Sequence, residues 1–249
     1  MAAQTRSGSM LERYARQLGL IGVEGQERLA ESTVLVAGVG GVGSAAALYL
    51  AAAGVGRLIL VDRDAVEESN LNRQVLYEEG DVGRSKVRVA AERLRRLNPD
   101  IRVEPYELDV RSEAIEALVE EADVVLDCLD NWESRLRLDE CAWRHAKPLV
   151  HGGVDGWSGV VTVVLPGSTP CLRCIAAGLG GGRRRSVSVV GVAAGLVGVL
   201  VAAEALKLLL GVGRVAAGKL LFVDLLSLAF EEVEVVYGDE CRRVCGEPG

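Results

Sequence analysis

The sequence predicts an α/β fold in which a doubly wound, mostly parallel sheet is extended by antiparallel strands in the C-terminal half. Three observations predict it. Apolar runs alternate with helical patterns through the first two-thirds of the chain, a glycine-rich turn follows the first apolar run, and no Pro/Gly/Ser-rich linker separates the later part. Apolar strands separated by helices form a parallel sheet that helices cover on both faces. The 249 residues are therefore expected to form a single Rossmann-like domain.

The predicted elements follow the pattern in chain order. Two helices, at about 10–19 and 24–31, are expected before the first strand. The apolar runs then predict strands at 33–38, 57–62, 101–107, 123–128 and 148–151. Between them the periodicity predicts helices at about 42–53, 83–97, 112–121 and 131–145. The later part predicts a strand at 159–165, a loop, an apolar helix, and strands at 219–224 and 230–236.

Composition limits the classes of function. The net charge is −7, and a general nucleic-acid binder needs a basic field, so this class is excluded. The first ten residues contain no apolar stretch of the kind found in export signals. The apolar segment 187–203 is shorter than the roughly 20 residues of a membrane span, so we expect a buried core helix. The sequence thus predicts a soluble, cytoplasmic protein.

A glycine-rich turn after the first strand predicts nucleotide binding. Gly38, Gly40, Gly41 and Gly43 let the backbone turn tightly and approach a phosphate, which the following helix N-terminus attracts. Asp62 ends the second strand, where its carboxylate can accept a hydrogen bond from a ribose hydroxyl. This pattern does not distinguish ATP from NAD, so a dehydrogenase stays open at this point.

Further polar residues follow the ends of the predicted strands. Asp64, Asn70 and Arg73 come after the second strand, Lys86 opens the next helix, and Asp130-Asn131 follows the fourth strand. In an open α/β sheet these loops converge on one ligand crevice. Arg73 and Lys86 are therefore expected beside phosphates, and Asp130 beside bound magnesium. A dehydrogenase binds the pyrophosphate of its cofactor through the glycine loop, so it does not need additional residues that bind a triphosphate.

In the order and spacing of its motifs, the chain resembles the MoeB/ThiF/HesA family, relatives of the ubiquitin-activating enzymes. The matching pieces are RYARQ, GVGGVGS, VDRDAVEESNLNRQ, VGRSK, DCLDN and two cysteine pairs, which run from Arg13 to Cys245. The resemblance implies an ATP-dependent adenylyltransferase that activates the C-terminal glycine carboxylate of a small ubiquitin-like sulfur-carrier protein with a diglycine end. Acyl-adenylate and pyrophosphate would form, and a separate sulfurtransferase would supply sulfur for molybdopterin, thiamine or tRNA-thiolation pathways.

The resemblance also implies roles for site residues. Asp62 would bind the ribose, and Asp130 would orient magnesium. Arg16 occupies the place of an N-terminal arginine that reaches into a neighbouring subunit's site, so a homodimer is implied. A C-terminal carboxylate is already ionised at neutral pH and needs no general base. The implied catalytic residues are Arg16, Arg73, Lys86 and Asp130, and the implied nucleotide-binding set is Gly38, Gly40, Gly41, Gly43, Asp62, Asp64, Asn70, Arg73, Lys86, Asp130 and Asn131.

Four of the six cysteines form two close pairs, Cys171 with Cys174 and Cys241 with Cys245. Two such pairs in an intracellular chain favour a tetrahedral structural zinc, which would fix the C-terminal segment to the later half of the domain. The family normally has two residues within the second pair, whereas three stand here, and a disulfide or unliganded thiols stay open as alternatives. The other two cysteines are interpreted as packing residues; they are Cys128 and Cys141.

The resemblance divides the chain into N-terminal helices at 1–32, a nucleotide-binding half at 33–151 and a carrier-binding half with the zinc site at 152–249. Three alternatives stay open: an enzyme like tRNA threonylcarbamoyladenosine dehydratase, an NAD-dependent oxidoreductase, and a non-catalytic partner subunit of an activating enzyme. The first generally lacks the zinc pairs, and the complete nucleotide-site set argues against the last. The two histidines, His145 and His151, are interpreted as structural.

Overall fold

A computed structural model describes residues 12–178 and 188–235 of the chain, which contain eight strands and seven α-helices. The helices are α1 (Ala15–Glu31), α2 (Gly41–Ala53), α3 (Lys86–Leu97), α4 (Ile115–Glu120), α5 (Trp132–Arg144), α6 (Leu172–Gly178) and α7 (Gly191–Leu210). The strands are β1 (Thr33–Ala37), β2 (Arg57–Asp62), β3 (Arg102–Glu107), β4 (Val124–Asp127), β5 (Leu149–Asp155), β6 (Ser158–Val164), β7 (Lys219–Asp224) and β8 (Ala229–Glu234).

The strands form one sheet in the order β3-β2-β1-β4-β5-β6-β7-β8. The first five strands pair in parallel, and β5 to β8 pair antiparallel through consecutive connections. The predicted parallel sheet with an antiparallel C-terminal extension is therefore confirmed. Strand order reverses between β1 and β4, and this reversal leaves an open crevice at the carboxyl ends of the strands.

Helices cover both faces of the parallel part. The side chains of β1 alternate between two cores, with Val34 and Val36 in one and Leu35 and Ala37 in the other. Helices α2, α3 and α7 pack on the first core, and α4, α5 and α6 pack on the second. Burial on both faces explains why β1 is an uninterrupted apolar run in the sequence.

The apolar segment predicted as a core helix forms α7, which packs on α2 and on β5 and β6. A methyl group at Gly198 would approach the Val42 carbonyl oxygen to 2.3 Å, so glycine allows the two helix backbones to lie close together. Val197 and Val201 are buried against the sheet. By length and hydropathy α7 could also cross a membrane, but half of its most apolar window is buried inside this protein, which fits the core-helix interpretation.

Three elements differ from the prediction. Strand β5 continues to Asp155 instead of ending at residue 151, because β6 pairs with it along its whole length. The loop expected after β6 contains the short helix α6, whose Leu172 amide donates to the buried carboxylate of Asp139. Helix α7 begins at Gly191 and ends at Leu210, later than the predicted apolar segment 187–203. The expected separation of two N-terminal helices is confirmed, because α1 is interrupted at Gly22, where φ is +70° and the backbone is not helical.

Candidate functional site

A cavity of about 740 Å³ opens at the carboxyl ends of the parallel strands. The loops after β1, β2, β3 and β4 form one side, and the β5–β6 hairpin forms the other. The cavity lies beside the reversal of strand order, where such sheets bind ligands. Nine of the predicted site residues line it together: Gly38, Gly40, Gly41, Asp62, Asp64, Arg73, Lys86, Asp130 and Asn131.

Glycines shape the loop between β1 and α2. Gly38 has a φ of +85°, and a Cβ there would lie 2.7 Å from the carbonyl oxygen of Cys128. A Cβ on Gly43 would lie 1.8 Å from the Gly38 carbonyl oxygen, so this glycine lets the helix start against the strand. A Cβ on Gly40 would meet no close contact, because its nearest atom would be Gln74 Nε2 at an ordinary van der Waals distance of 3.6 Å. The loop backbone can therefore approach an anionic ligand closely.

Asp62, at the end of β2, holds the glycine loop in place. Its Oδ2 accepts from the Val39 amide and its Oδ1 from the Asp64 amide, both at 2.9 Å. Burial raises the pKa of this carboxyl group, while the two amides and the charge of Lys86 oppose the rise. A carboxylate has about four acceptor positions, so Asp62 can still accept from a ligand hydroxyl.

Two cations stand on the same wall as the glycine loop. Lys86 Nζ lies 3.3 Å from Asp64 Oδ2, and its side chain is 8% exposed. Arg73 Nη1 donates to the Ser69 carbonyl at 2.7 Å and to Asn72 Oδ1 at 3.2 Å. The ammonium and guanidinium groups place donors that suit phosphate oxygens on this wall, where Asp64 already pairs with Lys86.

Asp130 is exposed to the cavity from the turn between β4 and α5. Asn131 Nδ2 donates to Asp130 Oδ1 at 3.1 Å, while Asn131 Oδ1 accepts from the Ser134 amide at 2.9 Å and caps α5. Magnesium bound with phosphates takes one or two carboxylates as ligands. The donor set at this turn therefore fits Mg²⁺ beside a triphosphate.

Two of the predicted site residues stabilise the loops around the cavity but do not line it. Asn70 is buried, and its Oδ1 accepts from the Glu67 amide at 3.1 Å across the short 3₁₀ turn Glu68–Asn70. It thereby holds the loop that carries Arg73. Gly43 packs the start of α2 against β1. The nucleotide-binding role that the resemblance implies for Asn70 stays a prediction.

Arg16 lies at the opposite edge of the sheet from the cavity. It is exposed near the start of α1, between Tyr14, whose hydroxyl accepts from Asn98, and Gln17, whose amide donates to the Ala53 carbonyl. Asn98 and Ala53 end helices α3 and α2, which both begin at the cavity. Helices of this length span about 18–20 Å, so Arg16 is too far to reach the cavity of its own protomer.

Gln74 is a site residue to which the sequence pattern assigns no role. Its side chain is 4% exposed, lines the cavity beside Gly40, and has an Oε1 without a hydrogen-bond partner within the described residues. A buried acceptor left unpaired costs about 1–3 kcal/mol, which a ligand that donates to it would recover. The sequence offered one signal for a role of Gln74 at the site, which is its position directly after Arg73.

A polar cluster on β4, β5 and α5 also reaches the cavity. His151 Nδ1 lies 2.7 Å from Asp127 Oδ2, and Arg135 Nη1 lies 3.0 Å from His151 Nε2. Trp132, Arg135 and His151 line the cavity wall. The interpretation of His151 as a structural residue is therefore incomplete, because its side chain also lines the cavity. His145 Nε2 lies 2.9 Å from Glu116 Oε2, and His145 is not part of the cavity lining. This position fits a structural role.

The first cysteine pair lies at the start of α6. Cys171 Sγ and Cys174 Sγ are 3.5 Å apart, too far for a disulfide bond of about 2.05 Å between these two, and Cys174 is disulfide-bonded in this structure. Two thiolates on tetrahedral zinc, with Zn–S of about 2.3 Å, lie roughly 3.8 Å apart, so the separation of this pair fits half of such a site when Cys174 is reduced. Burial raises the pKa of Asp139, which holds this helix start, to about 7. The predicted ligands Cys241 and Cys245 lie outside the described residues.

The two remaining cysteines are buried. Cys128 lines the cavity beside the glycine loop, and Cys141 lies within α5. Burial raises the pKa of both thiols, in Cys141 to about 11, so neither is a thiolate at neutral pH. Both positions fit the interpretation of these cysteines as packing residues.

Two alanine substitutions in the glycine loop are expected to have different effects. Gly43→Ala places a methyl group 1.8 Å from a backbone oxygen, so we expect a loss of about 3 kcal/mol or more in unfolding free energy. Gly40→Ala adds a methyl group at an ordinary contact distance of 3.6 Å from Gln74 Nε2, so stability should change by no more than about 0.5 kcal/mol, while nucleotide affinity falls about tenfold. Denaturant unfolding and calorimetric titration with a nucleotide measure the two effects. Equal stability of the two variants would contradict the assignment.

The sequence matches the ThiF family over residues 14–243. It is 43% identical to the sulfur carrier protein adenylyltransferase of Thermus thermophilus, and the match covers 95% of this chain and 91% of the relative. It is 40% identical to the molybdopterin-synthase adenylyltransferase of Escherichia coli, over 94% of this chain and 96% of that protein. The fold is similar to a crystal structure of E. coli MccB, with a TM-score of 0.84 and 25% identity, over 94% of this chain and 72% of that chain.

Proposed function

This chain belongs to the ThiF family, and on that premise we propose that it is an ATP-dependent adenylyltransferase that activates the C-terminal glycine carboxylate of a small ubiquitin-like sulfur-carrier protein. The products are an acyl-adenylate and pyrophosphate. The observation that carries the proposal is that Arg73, Lys86 and Asp130 line one cavity with the glycine loop. We expect a separate sulfurtransferase to supply the sulfur and the enzyme to act in the cytoplasm.

The nucleotide is proposed to lie along the glycine loop. Asp62 accepts from the ribose hydroxyls, and the apolar side chains of Leu108, Val110 and Leu129 on the same cavity wall provide a surface for the adenine ring. Backbone amides at the start of α2 bind phosphate oxygens. Gln74 adds a buried amide beside Gly40 that can pair with the ligand.

The reaction needs charge compensation and positioning. The attacking carboxylate has a pKa of about 3.5 and is ionised, so no side chain must remove a proton. Its approach to the α-phosphate is opposed by the negative triphosphate, and pyrophosphate carries further charge as it leaves. Lys86 and Arg73 compensate this charge, and Asp130 holds Mg²⁺, which would neutralise phosphate oxygens when bound. An aligned carboxylate then displaces pyrophosphate in line.

The carrier protein is proposed to bind on the antiparallel half of the sheet. In the strand register Val160 pairs with Phe222, and Leu220 pairs with Val233, so these four side chains share one face. Phe222 and Val233 are 37% and 46% exposed, and Phe222 also lines the cavity. This apolar face continues into the cavity, where Gly152 and Gly153 form part of the lining that the narrow diglycine tail would pass. Residues 152–249 thereby form the proposed carrier-binding half.

A homodimer is proposed from an apolar stripe on α7. Val192, Leu196, Val199 and Ala203 recur at spacings of three and four, on the side of the helix away from the sheet. Val192 is 61% exposed, and Tyr49 of the adjacent α2 is 53% exposed. A second copy packed here would bury this surface. Arg16 lies at the edge of the sheet opposite the cavity of its own protomer, so it is proposed to contribute to the cavity of the partner subunit.

Zinc is proposed to join Cys171 and Cys174 to Cys241 and Cys245. The 3.5 Å separation of the first two sulfur atoms and their position at the N-terminal end of α6 suit a four-thiolate site. A bound zinc would stabilise the protein by linking distant parts of the chain. It takes no part in the transfer reaction.

Purified, reduced protein is expected to contain about one zinc per chain. Cys174→Ser should lose the metal and melt at a clearly lower temperature, because its thiolate is one of four ligands. Cys141→Ala is the matched control, since Cys141 is a buried packing residue, and it should keep the zinc. Elemental analysis and thermal unfolding measure both. Zinc far below one per chain in freshly prepared wild type would contradict the site.

The proposed function is tested by isotope exchange between pyrophosphate and ATP in the presence of purified carrier proteins. The panel contains carriers from molybdopterin, thiamine and tRNA-thiolation pathways, each with an intact diglycine end and, as control, with these two residues removed. We expect exchange with at least one intact carrier and none with its shortened form. Absence of carrier-dependent exchange with every carrier, together with binding of NAD, would overturn the proposal.

A further inference from the structure

A chain of three side chains, of which His151 and Asp127 are buried, connects β5 to the turn that carries Asp130. Asp127 ends β4 and lies opposite His151 of β5 in the parallel register. His151 Nδ1 lies 2.7 Å from Asp127 Oδ2, with these side chains 4% and 0% exposed. Arg135, in the first turn of α5, places Nη1 3.0 Å from Nε2 and 3.2 Å from Nδ1 of the imidazole.

The chain ends on the backbone of Leu129, the residue before Asp130. The Leu129 amide donates to Asp127 Oδ1 at 3.1 Å, and the Leu129 carbonyl accepts from Arg135 Nη2. Both polar backbone groups of this residue are therefore bound by the cluster. A backbone held at both groups has few alternative conformations, so the position of Asp130 in the cavity depends on the cluster.

The charges within the cluster are balanced. Burial alone would raise the pKa of the Asp127 carboxyl, but the charge of Arg135 and the bond from His151 outweigh it and lower this pKa. Burial and the Arg135 charge lower the pKa of His151, although the bond to Asp127 opposes the shift. The imidazole is thus neutral at pH 7 with its proton on Nδ1. One carboxylate is compensated by one guanidinium.

A packing role alone does not account for these residue types. Well-packed apolar residues are often as stabilising as a buried charged pair, and polar groups at such a place are best explained when they fix a geometry. Trp132 completes the cluster on the cavity side: the Arg135 guanidinium lies 5.5 Å from its ring centroid, and its ring lies 6.2 Å from that of His151.

We propose that His151 and Arg135 are positioning residues for nucleotidyl transfer. Together with Asp127 they hold the 129–131 turn so that Asp130 faces the triphosphate and its magnesium. The inference rests on the proposed function, because Asp130 is the group through which these residues act. They contact neither the reacting atoms nor the metal.

The test compares two replacements of His151 in carrier-dependent exchange. His151→Phe keeps a ring but loses both nitrogens, and we expect kcat to fall about 10- to 100-fold and the half-saturating Mg²⁺ concentration to rise about tenfold. His151→Asn retains a donor for Asp127 and is expected to recover most of this loss. Wild-type Mg²⁺ dependence in a folded His151→Phe protein would overturn the proposal.

Arg135→Lys tests the same chain from its other end, also in case His151→Phe does not fold. Lysine cannot contact the imidazole and the Leu129 carbonyl together, so we expect the same rise in half-saturating Mg²⁺ concentration. The double variant should lose no more than the stronger single variant, since the two residues act in series. Fully additive losses would contradict a shared action on the turn.

A measurement that needs no carrier separates this inference from the proposed function. The chain has two histidines, so His145→Gln leaves one imidazole for nitrogen NMR. Because burial and the Arg135 charge lower the pKa of His151, we expect the neutral Nδ1–H form to persist below the pH at which an ordinary imidazole titrates. We also expect weaker Mg²⁺-dependent ATP binding in His151→Phe. An imidazole titrating near pH 6.5, or unchanged ATP binding, would overturn the positioning role. Failure of wild type to exchange with any carrier would overturn only the proposed function.

Discussion

Replacing Asp130 with Ala is expected to lower carrier-dependent ATP–pyrophosphate exchange by at least about 100-fold while leaving the fold intact. Asp130 is exposed on the cavity wall, where its Oδ1 accepts a hydrogen bond from the side-chain amide of Asn131. The substitution removes the carboxylate that is proposed to hold Mg²⁺ against the triphosphate. A substitution of an exposed side chain usually changes the unfolding free energy by no more than about 0.5 kcal/mol. Exchange rates and thermal unfolding of the same preparation measure both effects.

Glu133→Gln is the matched control for this prediction. Glu133 lies three positions away, is exposed, and pairs with Arg111 at 3.2 Å, and neither residue lines the cavity. The control loses one negative charge from the same region and should exchange at the wild-type rate. Asp130→Asn keeps the shape but loses the charge, and it should be almost as impaired as the alanine variant. An Asp130→Ala enzyme that kept about a tenth of wild-type activity or more would remove the assignment.

The parallel half of the fold could be predicted because its strands are buried on both faces. Val34 and Val36 enter one core and Leu35 and Ala37 the other, so β1 is a continuous apolar run that periodicity identifies. The carboxyl ends of such strands meet at one edge of the sheet. This single geometric rule was enough to bring nine of the predicted site residues to one cavity.

The antiparallel half was harder to delimit, because its local signals conflict with its tertiary environment. Gly152 and Gly153 resemble a turn in the sequence, yet both lie within β5. A Cβ at Gly152 would approach Val201 Cγ2 to 2.7 Å, so α7 packed on the sheet requires glycine in the strand. Helix α6 has only seven residues and shows no apolar periodicity, and Asp139 of α5 holds its start. These are long-range contacts that a local pattern does not contain.

The site residues that could not be predicted depend on strand register. Asp127 and His151 are 24 positions apart and become partners only because β4 and β5 pair in parallel at that register. Asn70 shows the reverse case: it stands within a motif of binding residues, but its side chain caps the turn that follows Glu67. Motif spacing identifies the loop in both cases, and packing decides which side chain faces the cavity.

Mixing Arg16→Ala subunits with Asp130→Ala subunits is expected to restore about a quarter of wild-type exchange, although each variant alone is inactive. In a mixed dimer the Arg16→Ala subunit retains Asp130 and receives Arg16 from its partner, so one of the two sites is complete. Random mixing produces about one half mixed dimers, and one half of their sites are active. The expected activity follows from these two fractions.

Arg13→Ala provides the control for this experiment. Arg13 lies beside Arg16 in sequence, but it donates to the Leu97 carbonyl at 3.1 Å and pairs with Asp100 at 3.5 Å within its own protomer. Its replacement should leave exchange near the wild-type rate. The mixed dimers are isolated with two different affinity tags and verified by native mass spectrometry; once isolated, they should show about half of wild-type exchange, because one of their two sites is complete. Inactive mixed dimers would contradict a shared site, because Arg16 lies at the far ends of helices about 18–20 Å long that begin at its own cavity, and it can contribute to catalysis only across the dimer interface.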